Sequence, residues 1–153
     1  MSATRWWRRL FGGAELPPGV DAPLEPEERV LASAPVTGGG YLVPTSHGLW
    51  VPHTGEAHRR IGWHLVSKAT WDGRALTVVE ADEVGPDGEA VLIADRPPRR
   101  YPLPEPANVP EVVHARVTRS VLHSERARDG TLVVRRRVPG RDGVQLQVRR
   151  AAS

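Results

Sequence analysis

Six histidines, a Ser46–His47 dipeptide, the acidic pair Asp82–Glu83 and ten arginines beyond residue 107 are the side chains of this 153-residue chain that could do chemistry. His53 and His58 flank Thr-Gly-Glu-Ala, with His47 and His64 near in sequence, so His53, Glu56 and His58 offer three donors of the kind zinc takes. No helix supplies the i, i+4 spacing that makes a His-Glu-x-x-His pattern specific. Scattered histidines at strand ends are the simpler account, and neither a metal nor a cofactor is expected. Ser46 and His47 are neighbours on a predicted strand, where adjacent side chains point to opposite faces and cannot form a nucleophile–base pair. A Gly-x-Ser-x-Gly elbow is missing, and Gly38–Gly40 lacks the Lys-Ser/Thr and helix of a phosphate loop. Asp82 and Glu83 sit at a strand end and read as solvated charges. The pattern assigns no catalytic residue and points away from an enzyme.

The arginines carry a sharper expectation. In TLVVRRRV, Leu132, Val134 and Val138 share one parity, and Val133, Arg135 and Arg137 share the other. In VQLQVRR, Val144, Leu146 and Val148 share a face opposite Gln145, Gln147 and Arg149. The two strands could present Arg135, Arg137 and Arg149 with both glutamines on one polar face, a candidate site for phosphate or a lipid headgroup. Docking of these cations on the acidic middle of the chain, or plain solvation, competes with that reading. Residues 12–107 carry fourteen acidic side chains against eight basic ones, whereas 108–153 carry ten arginines against four acids. Lys68 is the only lysine, so the choice of Arg over Lys reads as codon bias of a high-GC genome before it reads as guanidinium chemistry.

A second candidate surface lies in RWWRRLFGG, residues 5–13. On a helical wheel Trp6, Trp7, Leu10 and Phe11 fall within an arc of about 140°, with Arg5, Arg8 and Arg9 opposite and Gly12–Gly13 as a stop. So short a helix is marginal alone and needs a surface: a bilayer interface, a partner, or its own domain.

Around these candidates the chain reads as one domain. Residues 1–11 form the amphipathic basic segment and 12–27, with paired Gly and paired Pro, a linker. Residues 28–150 form a single mainly-β unit, with 28–107 its acidic barrel part and 108–150 a basic helix plus meander. Strands are expected over ERVLASAPV, YLVPTSHGLWVP, RRIGWHLVSKATW, RALTVVEADEV and EAVLIAD, with one more edge pairing over Arg99–Leu103. Asp72–Gly73 and Gly-Pro-Asp-Gly (85–88) serve as the turns. Trp63 shares a face with Ile61 and Leu65 and is expected in the core; Trp71 abuts a turn, and packing is the default for Trp50 as well. Asn108, Pro110 and Glu111 start a short helix over about 109–116, capped by Asn108. Two Asp-Gly turns then frame a C-terminal three-strand meander, although Val113, Val117 and Val121, spaced by four, allow the helix to run on. The chain has no cysteine, so it forms no disulfide or thiolate metal site. No apolar run reaches the ~20 residues of a membrane span, and Gly12 cuts short the ~7-residue core of a secretory signal. A cytoplasmic protein is expected, with residues 1–11 offering peripheral contact at the inner face of the plasma membrane.

Thr45, Leu49, Trp50, Ile61, Trp63, Val66, Asp72 and Gly73 carry a resemblance to the early strands of bacterial pleckstrin-homology-like and GRAM-like domains, over roughly half of the chain. LPEPANVPEVVHARVTRSV is also similar to a segment of short actinobacterial proteins of unknown function. The resemblance implies an antiparallel barrel or curved sheet that binds lipid, peptide or protein. It departs from that pattern where a long plugging helix should follow, since a short helix and further strands are expected here. The function so implied is a non-enzymatic binding or scaffold module acting on a protein partner or an anionic membrane surface. A nucleic-acid accessory role for the C-terminal arginine face is the less favoured alternative, and a metal-dependent enzyme the least favoured.

Overall fold

The computed structural model describes residues 14–55, 57–139 and 143–150. Among them the fold is mainly β with a single α-helix. Four short strands come first: β1 (Ala34–Pro35), β2 (Tyr41–Pro44), β3 (Gly48–Pro52) and β4 (His58–Gly62). They form a four-stranded sheet in that order. A 3-10 turn, Trp63–Leu65, leads into β5 (Val66–Trp71), β6 (Ala75–Asp87), β7 (Ala90–Asp95) and β8 (Arg99–Pro102). Helix α1 (Val109–Ser120) follows, then β9 (Val121–Arg126), β10 (Leu132–Arg137) and β11 (Val144–Arg149). The second, seven-stranded sheet runs β5-β6-β7-β11-β10-β9, with β8 also on β6. All pairings are antiparallel except β11 with β7, where Gln147 lies opposite Val91 and Val148 opposite Leu92. That parallel join closes the C-terminal meander onto the barrel part.

The thirteen-residue β6 is the spine of the curved sheet. β7 returns along Ala81–Asp87 and β8 along Ala75–Val78. One bond, Arg96 N–H to the Glu80 carbonyl at 2.8 Å, carries the ladder partway across the gap. Pro97 and Pro98 have no N–H to donate, so the return strand breaks there. The turn after β5 is fixed by Asp72, whose Oδ1 accepts the amides of Arg74 and Ala75, both at 2.8 Å. The next turn falls at Gly88–Glu89 rather than across 85–88, because the β6–β7 ladder continues to the Asp87–Ala90 pair.

Helix α1 runs four residues beyond the expected stop at Arg116. Val109 and Val113 are fully buried and Val117 packs against the same cluster, so a 3.6-residue stripe holds the helix together through the third turn. Pro110 sits in the first turn as expected, but Asn108 makes no side-chain cap bond. At the other end Ser120 Oγ donates to the Val117 carbonyl at 2.7 Å, and Val121 is already extended. Residues 117–120 are therefore helix and 121–126 strand. Val109 and Val113 belong to one buried cluster with Leu42, Leu49, Ile61, Trp63, Val66 and Leu76, which draws on the helix and both sheets.

Residues 14–27 do not behave as a free linker. They lie on the outer side of the first sheet, where Leu16, Val20 and Leu24 pack around buried Ala22, Val43 and Trp50. Bridges Ala14–Val30 and Asp21–Ala57 fasten them. The proline-rich composition gives an extended strap whose few apolar residues all find the sheet. The expected first strand over 28–36 shrinks to Ala34–Pro35, with Val30 making only isolated bridges. The amphipathic segment 1–11, with Arg5, Trp6, Trp7, Arg8, Arg9, Leu10 and Phe11, lies outside the described residues. No described helix is long and apolar enough to cross a membrane.

Candidate binding cleft between the helix and the C-terminal sheet

Strand register decides what the C-terminal arginines do. β10 and β11 pair Leu132 with Arg149, Val134 with Gln147 and Arg136 with Gln145. Arg135 lies opposite Leu146, and Arg137 opposite Val144. Directly paired residues share a face. Arg135 and Arg137 therefore point outward with Val133, Val144 and Leu146, while Arg149 and both glutamines point inward with Arg136. The expected cluster of Arg135, Arg137 and Arg149 is split across the sheet. Each strand's alternation is as expected, but the pairing joins β10's outward polar parity to β11's apolar parity. A shift of one residue is enough to exchange the faces.

The inward set meets the 3-10 turn, β5 and the end of α1. Arg136 is only 4% exposed. Its Nη1 donates to the carbonyls of Val66 (2.9 Å) and His64 (3.3 Å), and its Nη2 to Ser120 Oγ (2.8 Å). Gln147, 1% exposed, donates to the His64 carbonyl at 2.6 Å and to Gln145 Oε1 at 2.9 Å. Arg149 Nη2 bonds Ser67 Oγ at 2.9 Å and Asp95 Oδ1 at 2.8 Å. The Nε atoms of Arg136 and Arg149 are both buried without a partner among the described residues. Among the described residues no carboxylate lies within ion-pair distance of Arg136. Burial, and after it the Arg149 charge, pushes the Arg136 guanidinium down to about 10. Three neutral acceptors offset part of the desolvation, but the charge has no counter-ion among the described residues, which is the expensive way to bury a cation.

These groups line a cleft of about 490 Å³ between α1 and the inner face of β9–β11. Its polar lining comes from Arg136, Arg149, Gln147, Ser67, Thr118 and Ser124, and its apolar lining from Val117, Val121, Leu132 and Val134. Among the described residues no acidic side chain lines it.

A second cleft, of about 630 Å³, is lined by His47, His64 and Glu83 among the groups the sequence offers for metal or acid–base chemistry, and there the charges are matched. Glu25, Glu28 and His47 bring their ligand atoms within 4.8 Å of one another. The Arg60 guanidinium already supplies the cation, bonding Glu25 at 2.5 Å and Glu28 at 2.7 Å. Glu28 also accepts from Thr45 Oγ1 (2.5 Å), Trp50 Nε1 (2.8 Å) and the Glu25 amide (3.0 Å). His47 Nδ1 lies 3.3 Å from Glu25. Ser46 Oγ accepts the Arg29 amide at 2.9 Å, so Ser46 and His47 serve different partners. His58, buried, takes the Tyr41 amide on Nε2 at 3.1 Å, and exposed His53 stands apart on the loop. The charge division along the chain is partly closed by contacts between its halves: Arg149 with Asp95, and Arg150 with Asp87 at 2.5 Å.

Arg136 was invisible as a site residue because its parity places it with Leu132 and Val134, the face expected to be core. The only available signal was a charged residue on that apolar parity. No family model, curated protein or solved structure matches this chain.

Proposed function

We propose that the chain is a non-enzymatic binding module of the pleckstrin-homology-like kind that accepts an anionic group in the cleft between α1 and β9–β11. The observation that carries this reading is Arg136: an arginine only 4% exposed, without a carboxylate partner among the described residues, on the wall of a cleft that no described acidic residue lines, beside a second arginine. An oxyanion bound there would supply the missing counter-charge and take charge-assisted hydrogen bonds, roughly twice as strong as neutral ones. The non-enzymatic part is supported by how the reactive side chains are engaged, since Ser46, His47, Glu25 and Glu28 all hold structural partners. The nucleic-acid alternative loses support because Arg135 and Arg137 face away from Arg149. The membrane contact expected of Trp6, Trp7, Leu10 and Phe11 lies outside the described residues and stays a separate proposal.

Calorimetric titration of the full chain at low ionic strength with inorganic phosphate and with butyl phosphate tests the reading. Saturable binding of at least one of them, lost in Arg136→Met, is expected. Absence of binding by both would refute it.

A further inference from the structure

The cleft is larger and more apolar than an inorganic ion requires. On the inner face of the sheet Val121 pairs with Arg136 and Leu132 with Arg149, Val134 lies between Leu132 and Arg136 on β10, and Val117 stands on α1. Of these only Val134 is buried; Val117 and Leu132 are half-buried, and Val121 is 39% exposed. Partly covered valine and leucine side chains interleaved with the two arginines make a wall that offers apolar surface and positive charge side by side. Small-molecule sites are commonly of this kind, apolar over most of their lining with a few placed polar groups that orient the ligand. A volume of about 490 Å³ lies within the ordinary range for organic ligands.

From this layout we infer that the ligand is an amphiphilic organic anion, an oxyanion head of phosphate or carboxylate type carrying an aliphatic tail. This rests on the anion reading above and adds the tail to it. The head faces the Arg136 and Arg149 side chains and the Ser124 hydroxyl on the sheet wall, with Thr118 on α1 across the cleft. The tail runs along Val117, Val121 and Leu132 and covers the apolar surface that the fold leaves open. Asp95 sets a limit on the head's charge. It already bonds Arg149 at 2.8 Å, so the site presents one uncompensated cation and one shared one. That balance suits a small head of one or two charges better than a polyphosphate, which would bring excess negative charge close to Asp95.

Two sources could supply such a molecule, a soluble acyl or alkyl anion and a lipid drawn from a bilayer, and the chemistry of recognition is the same. The test is a chain-length series by calorimetry on the full chain: inorganic phosphate, then ethyl, butyl and hexyl phosphate, with hexanol as the uncharged control and hexanoate as the carboxylate counterpart. Affinity should rise at least about tenfold from ethyl to hexyl phosphate, because each methylene moved from water to an apolar wall is favourable. Hexanol should not bind. Val121→Ser, at an exposed position, should flatten the chain-length dependence while leaving phosphate binding in place. Ser124→Glu, also exposed, places a carboxylate on the cleft wall and should weaken hexyl phosphate at least tenfold. It keeps the test sharp where Arg136→Met fails to fold. Sedimentation with phosphatidic acid vesicles, competed by hexyl phosphate, would identify a bilayer source; binding of the monomer without sedimentation would identify a soluble one. Inorganic, ethyl and hexyl phosphate binding equally would overturn the amphiphile while sparing the anion reading. No binding by any anion would overturn both.

Discussion

The indole Nε1 of Trp50 donates to Oε2 of Glu28 at 2.8 Å, tying the strap that precedes the first sheet to the middle of that sheet. Thr45 and Arg60 close on the same carboxylate. Burial raises the pKa of Glu28, but the hydrogen bonds from Thr45, the Glu25 amide and Trp50, together with the Arg60 charge, outweigh it, and the net displacement is downward. A carboxylate with a lowered folded-state pKa stabilises above its unfolded value, near 4.5, and loses that contribution as pH falls through the folded value. Glu28→Gln should therefore cost about 3 kcal/mol at neutral pH, as expected for breaking a buried pair. Thermal melts from pH 7 to pH 3 should show the gap between wild type and variant closing below about pH 4.5. A gap constant across that range would mean that the ionised form is not what the site holds.

Gly48 is required by the approach of a neighbouring strand. A Cβ there would fall on the Ile61 carbonyl, which is backbone and cannot swing away. Gly48→Ala should destabilise by about 1–3 kcal/mol in urea unfolding. Gly85→Ala, where nothing lies within 4 Å, should stay within about 0.5 kcal/mol of wild type.

The strap contributes to the fold. A chain beginning at residue 28 should be less stable than one beginning at residue 14 by about 3 kcal/mol, because Val43 and Trp50 lose the cover of Leu16, Val20, Ala22 and Leu24. Chemical denaturation of the two chains measures it, and equal midpoints would show that the strap is ornamental.

Asp95 competes with any anion for Arg149. Asp95→Asn should tighten butyl phosphate about fivefold, matching roughly 1 kcal/mol for a partly exposed pair. Unchanged or weaker binding would mean that Arg149 is not a contact.

Local punctuation made much of this fold legible. Asp72–Gly73 and Asp129–Gly130 are turns because aspartate can hold the next amides and glycine takes the positive φ, 93° and 88° here. Long-range choices were not legible. Whether residues 14–27 dock depends on an apolar outer face around Trp50 that exists only once the first sheet has formed. The valine spacing allowed α1 to run on, but the contact of Arg136 with Ser120 Oγ at its end, sixteen residues away, was not legible. Most consequential, alternation showed which residues of β10 share a face, yet could not show which parity of β11 would join them. That register places Arg136 inside and Arg135 outside.

Arginine side-chain NMR tests the central claim most directly. In a ¹H–¹⁵N spectrum of the full chain, the Nε–Hε signals of Arg136 and Arg149 should shift saturably as butyl phosphate is added, while those of Arg135 and Arg137 on the outer face stay in place. Movement of Arg135 and Arg137 with Arg136 unmoved would put the anion on the wrong side of the sheet and contradict the account.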